Sequence, residues 1–187
     1  TLTDTWDMGG AGAYGITKDA ISGYLIVGGC DDSSINWINA ADGTIEYSIT
    51  NPMSGGCPSE LIVDSSGQLW VGDIFIAEGD INVTVFEDVD GDGFQETAVQ
   101  TIYTGELWDN AMTKFNNDII IGSDQTSGED LTVLDSTTYT ATEYTISSLT
   151  GYAWKVAAGT ITSASTDSDG DGHDSIVDAF AQSFADA

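Results

Sequence analysis

Apolar and polar positions alternate with a period of two along most of this chain, which is the pattern of β-strands. β-branched and aromatic residues occupy the apolar positions, and Gly, Asp, Asn and Ser separate the runs. Four segments share one arrangement: a short apolar strand, a polar turn, and a second apolar strand that ends in a small residue. They cover residues 14–28, 60–72, 111–122 and 153–163. The pattern therefore predicts an all-β chain that is built from repeats.

The spacing of the repeats predicts the number of strands in each unit. The closing small residues are Gly28, Gly72, Gly122 and Ser163, which recur at intervals of ~40–50 residues. Two further strands fit into each interval. Four strands per interval predict a propeller-like array of four-stranded antiparallel blades. A β-sandwich with similar strand spacing is the alternative.

We expect two units along the chain. Residues 1–165 form the propeller-like domain, in which three blades and half of a fourth do not close a ring without an additional strand, further blades or open stacking. Residues 166–187 form a calcium-loop appendage, which we expect to be the start of a longer native segment. Its residues 176–184 carry apolar side chains at helical spacing, which predicts a short C-terminal helix.

The charge of the chain narrows the range of partners. Thirty-one acidic residues face only three lysines, and the net charge is −28. Nucleic acid is excluded because phosphate binding needs Lys or Arg, and anionic membranes are disfavoured for the same reason. No apolar run reaches 18 residues, so we expect no membrane insertion. The charge fits cation binding and also solubility in salt water, and we expect self-association, other surface proteins or glycans as partners.

A ladder of alternating aspartates predicts a first metal site. Asp88, Asp90, Asp92 and Glu96 occupy positions 1, 3, 5 and 9 of a loop, and Phe94 offers its backbone carbonyl at position 7. Crowded carboxylates raise each other's pKa and repel unless a cation lies between them. Hard oxygen ligands at this spacing predict Ca²⁺, and an ordinary acidic turn is the alternative.

A second ladder near the C-terminus has the register of an EF-hand-like loop, with an aspartate at its last ligand position. Its predicted ligands are Asp167, Asp169, Asp171, the His173 carbonyl, Ser175 and Asp178. A disordered acidic tail is the alternative. The two ladders together predict a calcium-binding protein.

Two cysteines and one sequon point to the cell exterior. Cys30 ends a strand of the first repeat and Cys57 precedes the second, so a propeller would make them neighbours and favour an inter-blade disulfide. Such a bridge contributes roughly 3 kcal/mol and is typical of oxidising compartments. Asn82 begins a glycosylation sequon. We therefore expect an extracellular or cell-surface location.

Residues 61–72 read Leu-Ile-Val-Asp-Ser-Ser-Gly-Gln-Leu-Trp-Val-Gly, which resembles the blades of NHL, YVTN and SMP-30-like propellers. This resemblance covers about residues 12–165. The first ladder resembles the calcium hairpins of integrin-type propellers, with Glu96 where those usually have Asp. The second ladder resembles dockerin and thrombospondin type 3 calcium repeats. The resemblance implies a calcium-binding surface protein.

Catalytic patterns find little support in the sequence. The single histidine, His173, belongs to the second calcium loop, and no Gly-x-Ser-x-Gly or HExxH motif is present. We therefore expect a non-enzymatic extracellular structural protein of a cell surface, filament or appendage. The alternative is a glycan- or protein-binding adhesion module. A third reading, implied by resemblance to calcium propellers that are lactonases, is a calcium-dependent hydrolase.

Overall fold

A computed structural model of the chain describes residues 12–52, 56–74, 82–103, 111–116, 118–122 and 131–144. These residues contain twelve strands and no helix. The strands are β1 (Ala13–Lys18), β2 (Leu25–Gly29), β3 (Ser34–Ile38), β4 (Ile45–Thr50), β5 (Cys57–Val63), β6 (Leu69–Ile74), β7 (Asn82–Glu87), β8 (Thr97–Tyr103), β9 (Ala111–Phe115), β10 (Asp118–Gly122), β11 (Leu131–Asp135) and β12 (Ala141–Tyr144).

The strands form three antiparallel sheets of four strands each, and consecutive strands are neighbours in every sheet. We call them blade 1 (β1 to β4), blade 2 (β5 to β8) and blade 3 (β9 to β12). The first strands of the blades contact each other, β1 with β5 and β5 with β9. This arrangement confirms the predicted blades and differs from the two facing sheets of a sandwich.

The repeated glycine marks the place where one blade meets the next. A Cβ atom on Gly28 would overlap the backbone carbonyl oxygen of Pro58 in β5. A Cβ atom on Gly72 would lie 3.4 Å from the sulfur of Met112 in β9. The second strand of each of these blades therefore has a glycine at the position where the first strand of the next blade packs against it.

Within the described residues, two apolar layers form the core, one on each face of blade 2. Leu69 and Val71 of β6 point toward blade 1, whereas Trp70 between them points toward blade 3. The first layer contains Ile26, Ile35, Trp37, Leu61, Leu69, Val71 and Phe86. The second contains Trp70, Val83, Val85, Ile102, Ile119, Ile121 and Leu134. Residues 69–71 of β6 are buried on both faces of the strand, which explains why they are apolar without alternation.

Several predictions fall on other parts of the chain. The half blade at 153–163, the boundary at residue 165, and the C-terminal loop and helix lie outside the described residues. In the part that is described, no helix is long and apolar enough to cross a membrane.

Candidate metal centre

The loop between β7 and β8 brings the carboxylates of the first ladder together. Asp88, Asp90, Asp92 and Glu96 each offer one oxygen, and these four oxygens all lie within 4.8 Å of one another. Asp90 and Asp92 are exposed, whereas Asp88 and Glu96 are half-buried. The folded loop therefore places the four carboxylates of the predicted ligand set close together in space.

Asp88 organises the backbone of this loop. Its Oδ1 accepts hydrogen bonds from the N–H groups of Gly91 at 2.6 Å and Asp92 at 3.2 Å. Its Oδ2 accepts one from the N–H of Gly93 at 2.9 Å. Gly91 and Gly93 have φ angles of 81° and 97°, which L side chains rarely adopt. The two glycines of the motif therefore let the chain wind closely around Asp88.

The carboxylate of Glu96 gives the clearest indication of a cation site in this loop. Its Oε1 accepts a hydrogen bond from the hydroxyl of Thr97 at 3.0 Å, but its buried Oε2 has no hydrogen-bond partner. A buried carboxylate oxygen without a partner is costly, and a bound cation would remove that cost. The carbonyl of Phe94 accepts the N–H of Glu96 at 3.1 Å and has a second lone pair available for a metal. The donor set, made only of hard oxygens, fits Ca²⁺.

The side chain of Phe94 anchors the loop to blade 1. Its ring stacks on Tyr24 at a centroid distance of 5.2 Å and on Tyr47 at 4.8 Å. It also meets Trp37 edge to face at 6.2 Å. A residue expected to contribute only its carbonyl therefore also contributes an aromatic contact between two blades.

Gln95 adds side-chain hydrogen bonds to the contact that Phe94 makes with blade 1, and its side chain is only 3% exposed. Its Oε1 accepts the indole N–H of Trp37 at 3.1 Å, and its Nε2 donates to Oδ2 of Asp19 at 3.3 Å. Burial alone would raise the pKa of Asp19, but hydrogen bonds from Ser22, Ile21 and Gln95 outweigh burial and lower that pKa. The sequence alone did not identify Gln95 or Asp19. Gln95 lies 58 residues from Trp37 and 76 residues from Asp19 along the chain, so no local pattern connects these residues.

A polar pocket of about 370 Å³ lies beside the β7–β8 loop, where the β1–β2 turn of blade 1 faces the β5–β6 turn of blade 2. Its lining includes Asp19, Gln68, Glu87, Asp88 and Gln95. The carboxylate and amide oxygens make this pocket rich in hydrogen-bond acceptors.

The disulfide between Cys30 and Cys57 is present and joins blade 1 to blade 2, as predicted. In the register of blade 2, Asp73 pairs with Pro58, the neighbour of Cys57. Asp73 is fully buried, and its Oδ1 accepts the side-chain amide of Asn51 at 2.6 Å.

The carboxyl of Asp73 corrects one expectation from the sequence. In the sequence, Asp31, Asp32, Asp73 and Asp124 each follow the second apolar strand of a repeat, and this spacing predicts solvent-facing loop acids on one rim. Asp31 and Asp32 are exposed, but Asp73 has 0% exposure and its Oδ2 has no hydrogen-bond partner. Burial raises the pKa of Asp73 to about 7, and the hydrogen bond from Asn51 offsets only part of that rise.

The remaining predicted site residues are Asn82 and the members of the second ladder. Asn82 begins β7, and its glycosylation stays a prediction. The second ladder lies outside the described residues; its members are Asp167, Asp169, Asp171, His173, Ser175 and Asp178.

No protein-family model matches this chain. No curated protein matches it either. Among solved structures, the β-propeller domain of Cps50 (Swd1) from Myceliophteria thermophila matches with a TM-score of 0.50 at 14% identity, over 71% of this chain and 40% of that one. The fold is propeller-like. This chain spans less than half the length of that propeller structure.

Two other solved structures match this propeller-like chain at lower TM-scores. The extracellular domain of the putative one component system BT4673 from B. thetaiotaomicron matches at 17% identity with a TM-score of 0.31, over 71% of this chain and 23% of that one. A Bacteroides caccae protein of unknown function matches at 13% identity with a TM-score of 0.31, over 70% of this chain and 65% of that one.

Proposed function

We propose that this chain is a non-enzymatic, extracellular, calcium-binding structural protein of a cell surface, filament or appendage. The observation that carries the proposal is the convergence of four carboxylates within 4.8 Å, one of which has a buried oxygen with no partner. Ca²⁺ accepts six to eight oxygens in flexible geometry, whereas Mg²⁺ demands a near-ideal octahedron. A loop that mixes exposed aspartates, a half-buried glutamate and a backbone carbonyl suits Ca²⁺ better.

The cell exterior is the compartment that best suits this chemistry. Extracellular calcium modules bind with dissociation constants of about 10⁻⁴ to 10⁻³ M, which fits a site with two exposed ligands. The disulfide is typical of an oxidising compartment. A net charge of −28 makes the folded chain self-repelling, so cation binding and salt both favour compactness. These features support a domain whose rigidity depends on calcium.

The acceptor-rich pocket favours a second candidate, an adhesion module that binds a donor-rich neutral ligand such as a saccharide. Stacking on exposed tryptophan would strengthen that candidate. Trp37 and Trp70, the tryptophans within the described ranges, are both fully buried. The pocket therefore supports this function less than the carboxylate cluster supports calcium binding.

Calorimetric titration of the full chain with CaCl₂ tests whether the cluster of four carboxylates binds calcium. The Asp88→Asn/Asp90→Asn variant should lose one class of binding sites, because two ligands of the cluster become neutral. The Asp31→Asn/Asp32→Asn variant removes the same charge from an exposed turn and serves as the matched control. Identical titrations of all three proteins would refute a calcium site in this loop.

Light scattering of the wild type in millimolar CaCl₂ and in EDTA tests the structural role. We expect any assembly formed in calcium to dissociate in EDTA. Calcium binding without any effect on unfolding or on particle size would leave a metal site but contradict the structural role.

A further inference from the structure

The metal ligands and the blade 1 contacts alternate along one short stretch of backbone. Phe94 and Gln95, which we call the 94–95 segment, lie between the ligands Asp92 and Glu96. The side chains of this segment pack into blade 1, while its flanking carboxylates turn toward the metal centre. A shift of either flanking ligand therefore moves the 94–95 segment as well.

The blade 1 side of this contact is well ordered by its own partners. Trp37 is fully buried and belongs to the apolar layer between blades 1 and 2. Asp19 is 1% exposed and accepts hydrogen bonds from the backbone N–H of Ile21 and the hydroxyl of Ser22. Blade 1 thus offers a preformed surface that holds the 94–95 segment in one position.

We propose that calcium binding in the β7–β8 loop and the packing of blade 2 against blade 1 are coupled through the 94–95 segment. This inference rests on the proposed calcium site and names what regulates it: the junction sets the calcium affinity, and calcium sets the stability of the junction. Without a cation, the four carboxylates repel one another and push the loop open. With a cation, the loop closes in the geometry in which Phe94 and Gln95 reach blade 1.

Thermodynamic linkage makes the coupling reciprocal. If calcium strengthens the contact of the 94–95 segment with blade 1 by a given factor, removal of that contact must weaken calcium binding by the same factor. Couplings between linked sites are typically about 5- to 150-fold. We expect the calcium dissociation constant to rise about tenfold when the contact is removed, although every metal-ligating atom remains.

The first measurement is calcium affinity by calorimetry on full-length variants. Phe94→Leu removes the aromatic stacking, and Gln95→Ala removes both side-chain hydrogen bonds, while each keeps the backbone carbonyl and all four carboxylates. Met112→Ala is the matched control, because Met112 packs against the apolar layer between blades 2 and 3. We expect weaker calcium binding in both 94–95 variants and an unchanged affinity in the control.

The second measurement is amide hydrogen exchange of the wild type in CaCl₂ and in EDTA. Calcium should slow exchange in the loop itself and also in the β1–β2 turn at residues 19–24 of blade 1. The Gln95→Ala variant should keep the protection of the loop and lose that of the turn.

The outcomes separate this coupling from the calcium site on which it rests. Unchanged affinity in both variants, together with protection confined to the loop, would overturn the coupling while the calcium site stands. Absence of binding that depends on Asp88 and Asp90 in the wild type would overturn the site and the coupling together.

Discussion

The two junctions between blades arise from the same repeat but are held in different ways. Between blades 2 and 3, Gly72 gives space to Met112, and Trp70 packs on Tyr139 at a ring distance of 5.8 Å. The hydroxyl of Tyr139 accepts a hydrogen bond from Gln68 at 2.8 Å. Apolar packing and this hydrogen bond are the contacts that hold the described part of the junction.

The junction between blades 1 and 2 has the same kind of apolar layer and four additional connections. These are the disulfide, the buried hydrogen bond from Asn51 to Asp73, the hydrogen bond from the hydroxyl of Ser33 to the carbonyl of Gly56, and the contact of the 94–95 segment with blade 1. The strand repeat therefore produces the packing that is common to the blades. Residues outside the repeat pattern decide which junction receives the covalent and titratable connections, and also the connection that we propose to be linked to calcium.

The largest expected effect is at Asp73, whose pKa rises from 3.8 to about 7 on folding. A raised pKa means that the folded state disfavours the charged form, so stability falls as pH rises from about 4 to about 7. At pH 8, Asp73→Asn should therefore stabilise the protein by up to about 4 kcal/mol, since each pKa unit corresponds to about 1.4 kcal/mol.

Urea unfolding of wild type and Asp73→Asn at pH 4, 6 and 8 checks this effect. The two proteins should nearly coincide at pH 4 and separate as the pH rises. A difference in unfolding free energy that is the same at all three pH values would show that the charge on Asp73 is not responsible.

The next effect concerns the covalent connection. Cys30→Ala/Cys57→Ala removes a bridge with a sequence separation of 27 and should lower the free energy of unfolding by about 3.5 kcal/mol, chiefly through the entropy of the unfolded chain. Denaturant unfolding measures the loss, and the wild type in reductant is the control, which should lose a similar amount. Unchanged midpoints in both samples would mean that the bridge contributes nothing to this junction.

The smallest effect lies at the other junction. Tyr139→Phe keeps the ring on Trp70 but removes the hydroxyl that accepts from Gln68, so we expect a loss of about 1 kcal/mol. Thermal unfolding measures it, and calcium affinity should stay the same because the ligands of the β7–β8 loop are intact. A tenfold change in calcium affinity would contradict the assignment of metal linkage to the blade 1–blade 2 junction.

The sequence predicted the parts of this molecule that depend on local spacing. Alternating apolar residues and closing glycines located all twelve described strands, and the aspartate ladder located the carboxylates that converge. Strand period and ligand spacing are short-range properties, so they can be read from neighbouring residues.

The sequence did not reveal the features that depend on how the blades meet. In the sequence, Gln95 stands between two ligand positions and has no predicted role of its own. Its role appears only when the fold brings Trp37 and Asp19 beside it. Asp73 looked like an exposed acid because it follows an apolar strand, yet packing between blades buries it against Asn51. Neither environment can be inferred from adjacent residues.

Our proposal requires above all that calcium in the β7–β8 loop stabilises this fold. The most direct test is thermal unfolding of an Asp167→Asn/Asp169→Asn background in millimolar CaCl₂ and in EDTA, so that only the first ladder responds. At 10 mM CaCl₂, which is about 10 to 100 times the expected dissociation constant, linkage predicts about 1.4–2.7 kcal/mol, or a melting temperature about 3–10 °C higher than in EDTA. The same background with Asp88→Asn/Asp90→Asn should show no such shift. Equal melting temperatures in CaCl₂ and EDTA before Asp88 and Asp90 are changed would contradict the claim.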